Sequence, residues 1–239
     1  MFGSVHAVTL LADAAVDPSC YSSVVNDWVC ADYYRDFSDD LTSATAEHLY
    51  ITVVAVLLGL VLALPLAVLA RRYQRLEGMI LGVSTGLYTI PSLALFPLLA
   101  PFTGVNSTTV IIGLALYSLT ILVRNTLAGL RAVPAEVREA AVGNGYGQTR
   151  LLFKIELPLA LPVVMAGLRV ATVSTVALTT VGSILASGGL GNLLAHGVRN
   201  TFKAEILAAS VLCVVLAVAL DAVLLLTQRL LTPWARARG

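Results

Sequence analysis

The residues of this chain whose types and spacing could do chemistry do not assemble into a reaction centre. No nucleophile stands at a workable spacing from a base, so covalent catalysis has no candidate and the chain does not read as an enzyme. The three histidines, His6, His48 and His196, are scattered and leave no metal-ligand set. No G-x-x-x-x-G-K-S/T run occurs, so the chain has no such loop to cradle nucleotide phosphates. The stretch Ser187-Gly188-Gly189-Leu190-Gly191 is glycine-rich, but no strand precedes it. What remains is recognition chemistry. Glu139-Ala140-Ala141-Val142-Gly143-Asn144-Gly145 is a polar, glycine-punctuated stretch, with Ile155-Glu156-Leu157-Pro158 beginning ten residues after Gly145. Thr172, Thr175, Thr179 and Ser183 recur at helical spacing and form a polar stripe inside an apolar run. Such a stripe either lines a path or bonds back to its own helix carbonyls. Tyr88, Ser92 and Tyr117 are further pathway candidates.

The elements that must position these residues are membrane spans. Of 239 residues, 58% are hydrophobic and only 12% charged, with a mean hydropathy of +0.87. That is too little charge to cover a soluble domain of this size. Several apolar runs approach the roughly 20 residues that cross a bilayer as helix. They are continuously apolar rather than alternating, which argues against a β-barrel. The fold class is therefore an all-α polytopic helix bundle. Five spans are expected, near His48–Ala70, Met79–Phe102, Thr108–Val123, Pro158–Ser183 and Ala204–Thr227. Pro65 should kink the first. The second carries Gly82, Gly86, Pro91, Pro97 and Pro101, so it should need neighbours to satisfy its freed carbonyls and lie buried in the bundle. Between spans three and four, Pro134 suits the first turn of a short helix over Ala135–Val142. The glycines at 143, 145 and 147 should end it, and a second short helix should follow over Gln148–Ile155. That interval is too long for an idle loop.

Charge orients the bundle. All of the 15 lysines and arginines except Arg35, Arg169, Arg199 and Lys203 fall after spans one, three and five. With five spans those regions share one side, which the positive-inside rule makes cytoplasmic. The N-terminus is then outside and the C-terminus inside. Residues 1–47 form an acidic extracytoplasmic leader whose apolar run, Val5 to Val16, is too short to span and contains Asp13. Trp28, Tyr33 and Tyr34 suggest short helices at the membrane surface. Cys20 and Cys30 lie in this leader, where a disulfide is chemically permitted, while mid-span Cys213 reads as apolar filling. Arg169 and Asp221 sit inside spans. Arg169 should find a carboxylate, at a subunit interface, or snorkel, in a structural role.

Glu-Ala-Ala, three residues, Gly, nine residues, Ile, one residue, Leu-Pro resembles the signature of the membrane subunits of ABC importers, and every fixed position is met. The flanks Glu156-Leu157-Pro158-Leu159-Ala160-Leu161-Pro162, Ala166-Gly167-Leu168-Arg169 and Tyr88-Thr89-Ile90-Pro91-Ser92-Leu93-Ala94-Leu95-Phe96 look like the branch that imports glycine betaine, choline, carnitine and proline betaine. The methionine-importer branch is the competing resemblance. A channel or secondary transporter that needs no ATPase is the alternative of a different class.

The resemblance implies a permease subunit powered by separate ABC ATPase subunits, which bind the ATP and Mg. It implies a second permease subunit, identical or paralogous, an extracytoplasmic solute-binding protein, and a multi-pass place in the plasma (inner) membrane. No cofactor is implied in this chain, and no nucleic acid. The resemblance also gives roles to positions. Glu139, Ala140, Ala141, Gly145, Ile155, Leu157 and Pro158 would couple to the ATPase, and Gly188, Gly189 and Gly191 would form a hinge or gate at the outer mouth. The transmembrane domain is expected over 48–232, with its coupling segment at 124–158 and a cytoplasmic tail at 233–239.

Overall fold

A computed structural model describes residues 18–185 and 187–234. The apolar run 5–16, Asp13, Asp17, His6, Ala186 and the tail arginines Arg236 and Arg238 lie outside the described residues. The described chain is helical throughout. A short α1 (Ala31–Asp36) precedes α2 (Ser38–Arg72), which is followed by α3 (Gln74–Thr89), α4 (Ser92–Thr103) and α5 (Ser107–Arg131). The polar interval holds α6 (Ala135–Gly143) and α7 (Gln148–Leu151), then a π-helical turn over Leu152–Glu156 that runs directly into α8 (Leu157–Thr179). A 3-10 turn over Thr180–Leu185, α9 (Leu190–Asn200) and α10 (Lys203–Leu231) complete it.

Among the described residues four helices are long and apolar enough to span, and the bent pair α3–α4 brings the total to five if it counts as one. Expectation and structure differ at several boundaries. α2 begins at Ser38, about ten residues before the expected start, and passes through Pro65 as one helix. The fourth span begins at Gln148 rather than Pro158, because the chain before Pro158 is already helical and reaches the proline through a π-helical turn over Leu152–Glu156. The expected loop 186–203 contains α9. The second span is broken, turning by 101° between α3 and α4. Pro91 has no N–H to continue the ladder, and Ile90 before it is extended (φ −67°, ψ 126°). Nor is this span buried. Only Ile80 and Ser84 of α3, and Leu95 and Phe96 of α4, reach the interior. One neighbour satisfies the break: the Tyr117 hydroxyl of α5 donates to the Ile90 carbonyl, and Thr120 Oγ1 donates to the Ser84 carbonyl at 2.5 Å.

The centre of the bundle is α5, sandwiched between α2 and α8. Asn106 starts it by accepting from the amides of Thr108 (2.9 Å) and Thr109 (3.3 Å), a cap worth about 1 kcal/mol. Small residues bring its neighbours close. A Cβ on Gly59 of α2 would stand 1.9 Å from Ser118 Oγ, and one on Gly129 would stand 2.9 Å from the Ala160 carbonyl of α8. Close backbone approach of this kind is what holds helices together where lipid removes the hydrophobic drive. α10 lies outermost, and Arg169 of α8 ties it in through a two-pronged pair to Asp221 (Nε–Oδ1 2.8 Å, Nη2–Oδ2 2.7 Å). Arg169 thus finds its carboxylate within the chain.

Candidate functional site

The polar interval is built as a short projecting helix on a stiff base. Val133, buried, anchors the exit from α5, and Pro134 caps α6. The helix ends in a Schellman motif: the Tyr146 N–H reaches back to the Ala141 carbonyl (3.1 Å) and the Gly145 N–H to Val142 (2.9 Å). Gly145 takes the left-handed conformation that this motif requires, φ +80°. That is why glycine stands there, and why Gly143 and Gly147 do not matter in the same way: neither has a positive φ. Ala141 is buried beneath the helix, while Glu139, Ala140 and Gly145 are exposed on its surface. The projecting face therefore combines one carboxylate with an alanine and a bare backbone turn, a surface that a partner can approach closely. Behind it, Arg150 lies over the Tyr146 ring at 4.4 Å and stiffens the turn.

The second half of the motif has a different job. Leu157 packs against the cluster of Leu130, Ala160 and Val164, fixing the segment to α5 and α8. Ile155 and Pro158 are half-buried beside it. Glu156 is 6% exposed. Both its oxygens accept from Arg71 at the end of α2, at 2.6 and 2.5 Å. Glu156 is also the last residue of the π-helical turn, a local underwinding found often at functional positions. Neither Arg71 nor Glu156 was singled out as a pair by sequence. A carboxylate flanked by apolar Ile155 and Leu157 was the available signal that it would be buried, but nothing in the sequence named its partner. A second pair, Arg131 with Glu77, ties α5 to α3 at the same end of the bundle. Arg124 donates to Thr85 Oγ1 at 2.8 Å.

The threonine stripe points inward. Thr172, Thr175 and Thr179 are buried and donate to the carbonyls of Leu168, Ala171 and Thr175 at 2.7–2.8 Å. Thr179 also meets Thr52 of α2 at 3.2 Å. Within the subunit these hydroxyls are satisfied against their own helix, and only Ser183 is partly open. Tyr88 is exposed and Ser92 half-buried at the α3–α4 break, with Tyr117 edge-on to Tyr88 at 5.8 Å. The glycine run is a packing junction. A Cβ on Gly188 would stand 2.5 Å from the Ser183 amide, one on Gly189 (φ +53°) 2.6 Å from the His48 amide, and one on Gly191 2.3 Å from the Thr180 carbonyl. All three glycines are buried.

The leader is stapled as its spacing allowed: Cys20 and Cys30 are joined. The staple borders an aromatic cluster of Tyr21, Tyr33, Phe37 and Phe202 that seats α1 on α10. The Tyr21 hydroxyl donates to Asp36 at 2.7 Å, and that bond holds its pKa above the usual phenol value. Burial pushes Tyr33 up as well. Asn26 pins the loop to the α9–α10 corner, giving to the Thr201 carbonyl (2.8 Å) and accepting from the Lys203 amide (3.0 Å). Cys20, Cys30 and Asp32 are the one group of metal-ligating types that gathers among the described residues, and its sulfurs are bonded to each other. His48 bonds the Val176 carbonyl and His196 bonds Glu205, 128 and 9 residues away in sequence.

Residues 51–237 match a family described as binding-protein-dependent transport system inner membrane component. The glycine betaine/carnitine/choline transport system permease protein OpuCB of Bacillus subtilis is 36% identical over 81% of this chain and 89% of its own length. The osmoprotectant import permease protein OsmW of Salmonella typhimurium is 35% identical over 84% of this chain and 96% of its own. Among solved structures, a chain of the MetNI methionine ABC transporter in inward facing conformations superposes with a TM-score of 0.76 at 22% identity. It covers 82% of this chain and 98% of that one. An amino acid ABC transporter with histidines gives 0.69 at 17% identity, covering 84% and 98%.

Proposed function

This chain belongs to the inner membrane components of binding-protein-dependent transport systems, the permease subunits of ABC importers, and on that premise we propose that its cargo is quaternary-ammonium osmoprotectants such as glycine betaine, carnitine and choline. The ATPase is a separate subunit. The observation that carries the cargo is the likeness, over more than four-fifths of the chain, to permeases of glycine betaine, carnitine and choline systems. The likeness to the methionine ABC transporter and to the amino acid ABC transporter is weaker in sequence and speaks for the fold.

In this reading α6 is the coupling helix. Its exposed Glu139 and Ala140 and the Gly145 turn dock in a cleft of the ATPase, and Ala141 seats the helix on the bundle. Movement of the ATPase pair passes along the unbroken helix from Gln148 to Leu185, and sideways to α2 through Arg71 and Glu156. Two permease copies, or this chain and a paralogue, close around a two-fold axis. The stapled leader faces outward, where the solute-binding protein delivers cargo, and the C-terminus is cytoplasmic. The sorting of arginines to the ends of α2, α5 and the polar interval supports that orientation.

Two experiments test this. Gly145→Arg or Glu139→Lys should abolish uptake and release or uncouple the ATPase while the permease stays in the membrane; unchanged transport by both defeats the coupling surface. Titrating the partner binding protein with glycine betaine, choline and methionine decides the cargo, and methionine binding alone overturns it.

A further inference from the structure

At the end of the bundle where α2 stops, two cavities adjoin. One, of about 450 Å³, is lined by Arg71, Arg72, Arg138, Gln148, Thr149 and the Glu156 carboxylate, among others. The second, of about 750 Å³, is almost wholly apolar and runs along α2 and α8 past Leu60, Leu64, Leu161 and Met165, with Trp234 beside it. Val68 and Leu152 line both, so they are the two halves of one depression.

The charges in the polar half do not cancel. Its one carboxylate, Glu156, has both oxygens engaged by Arg71. Arg72 and Arg138 have no carboxylate partner among the described residues, and Arg138 Nε is buried with no hydrogen bond. A buried guanidinium N–H without an acceptor is costly, so an anion is the missing component. The apolar half says what kind of anion. A free phosphate or an acidic side chain of a neighbouring subunit would satisfy the arginines and leave about 750 Å³ of leucine-lined space unfilled. A molecule with an anionic head and hydrocarbon tails fills both.

We propose that this depression is a binding site for an anionic phospholipid, with its phosphate held by Arg72, Arg138, Gln148 and Thr149 and an acyl chain laid along α2 and α8. The proposal rests on the membrane-permease reading above. Polar head and tail meet at Val68, in the last two turns of α2, where the span reaches the headgroup layer. The bound lipid also touches the coupling region on two sides, since Arg138 belongs to α6 and Leu152 to the π-helical turn. It therefore bridges the coupling helix and α2 alongside the Arg71–Glu156 pair.

The test uses the full transporter, permease with its ATPase, in phosphatidylcholine nanodiscs. Phosphatidylglycerol bearing a photoreactive acyl chain is added, and cross-links are mapped by mass spectrometry. Labelling is expected at Leu161 or Phe153 and should be competed by phosphatidylglycerol but not by phosphatidylcholine or glycerol phosphate. Removing one basic contact should weaken labelling about fivefold, so Arg72→Gln with Arg138→Gln should weaken it by roughly the square of that. Leu64→Trp fills the apolar half, keeps every arginine and should abolish labelling, which keeps the test decisive if the double variant fails to assemble. Equal competition by phosphatidylcholine, or competition by glycerol phosphate, overturns the proposal. So does finding these residues cross-linked to the ATPase or to a second permease copy. A complex that still imports betaine but takes no label loses the lipid site alone; a complex that imports nothing in any lipid mixture loses the importer reading instead.

Discussion

Glu156→Gln is the perturbation that most directly tests how the polar interval between α5 and α8 is held. The side chain keeps its size and loses its charge. In the native chain the Glu156 side chain is 8% exposed and the Arg71 side chain 17%, with two hydrogen bonds of 2.5–2.6 Å between them. Removing one member of such a pair leaves a guanidinium in a site that was built around an anion, at a cost of about 3–5 kcal/mol. The Arg131–Glu77 pair, at the same end of the bundle, supplies the internal control. Arg131 is 53% exposed, and exposed pairs contribute about 0.2–1 kcal/mol. Glu77→Gln should therefore cost several-fold less than Glu156→Gln, although both remove one carboxylate from one arginine. The assay is reversible unfolding of the purified permease in mixed micelles, with Arg71→Met and the double variant completing a mutant cycle. The double variant should recover most of the loss, because two apolar or neutral groups can pack where one orphaned charge cannot. In transport, the pair links the π-helical turn at the start of α8 to α2, so Glu156→Gln should lower uptake per ATP hydrolysed more than it lowers ATPase binding. If Glu156→Gln proves no more disruptive than Glu77→Gln, the pair is not a structural link and the sideways route to α2 is wrong.

The remaining expectations concern the cap, the coupling turn and the outer helix. Gly145→Ala meets no atom within 4 Å, so its whole cost is the left-handed backbone, about 1–2 kcal/mol. ATPase affinity should fall accordingly, while Gly143→Ala, inside α6, should stabilise that helix by about 0.5–1 kcal/mol and leave affinity unchanged. Replacing Cys20 and Cys30 by serine opens a staple ten residues apart and should cost the leader about 2–3 kcal/mol. Trypsin should then cut faster at exposed Arg35 while the spans stay protected. Tyr21 and Tyr33 both have pKa values raised in the folded chain, so their contribution is complete below the ordinary value of 10.0 and is lost as pH rises through the folded values. Protease sensitivity of the leader should rise in alkali above that point and not in acid. Asp221→Asn should loosen α10 from α8 and lower expression in the membrane, and a joint Arg169→Leu, Asp221→Leu change should restore it.

The spans were legible because each is a run of apolar residues with an arginine or glycine punctuation, and the five expected runs match the four long helices and the bent α3–α4 pair. The short helix α6 was legible because Pro134 and Gly145 mark its ends chemically: one has no N–H to waste and the other alone tolerates φ +80°. Less legible was the continuity from Gln148 into α8. A proline inside a run usually signals a break, yet the chain on both sides of Pro158 is helical, with the π-helical turn over Leu152–Glu156 just before it. The same residue type stands at the break between α3 and α4 at Pro91 and inside the single helix α2 at Pro65. At Ile90 a tyrosine hydroxyl from α5 accepts the role of the missing donor.

Burial was the least legible property, and the reason is the solvent. In water the most apolar helix goes to the centre. Here the least apolar of the four long helices, α5, is the most enclosed, and the more apolar α2 and α10 lie further out. Lipid gains nothing from hiding leucine, so what the interior collects is small and hydrogen-bonding residues that pack or pair closely. On that logic the threonines of α8 belong inside the subunit, against Thr52 and their own carbonyls, which is where they lie. A polar stripe in a span therefore marks the packed side of a helix before it marks a path. The cargo path of this permease is better sought on surfaces that are open in the single chain and paired in the assembly. Tyr88, exposed beside the Pro91 break and edge-on to Tyr117, is an aromatic open in the single chain that stands at the break between α3 and α4. Tyr88→Ala should therefore slow uptake of a quaternary ammonium solute while leaving ATPase docking intact, and Thr175→Val should do neither.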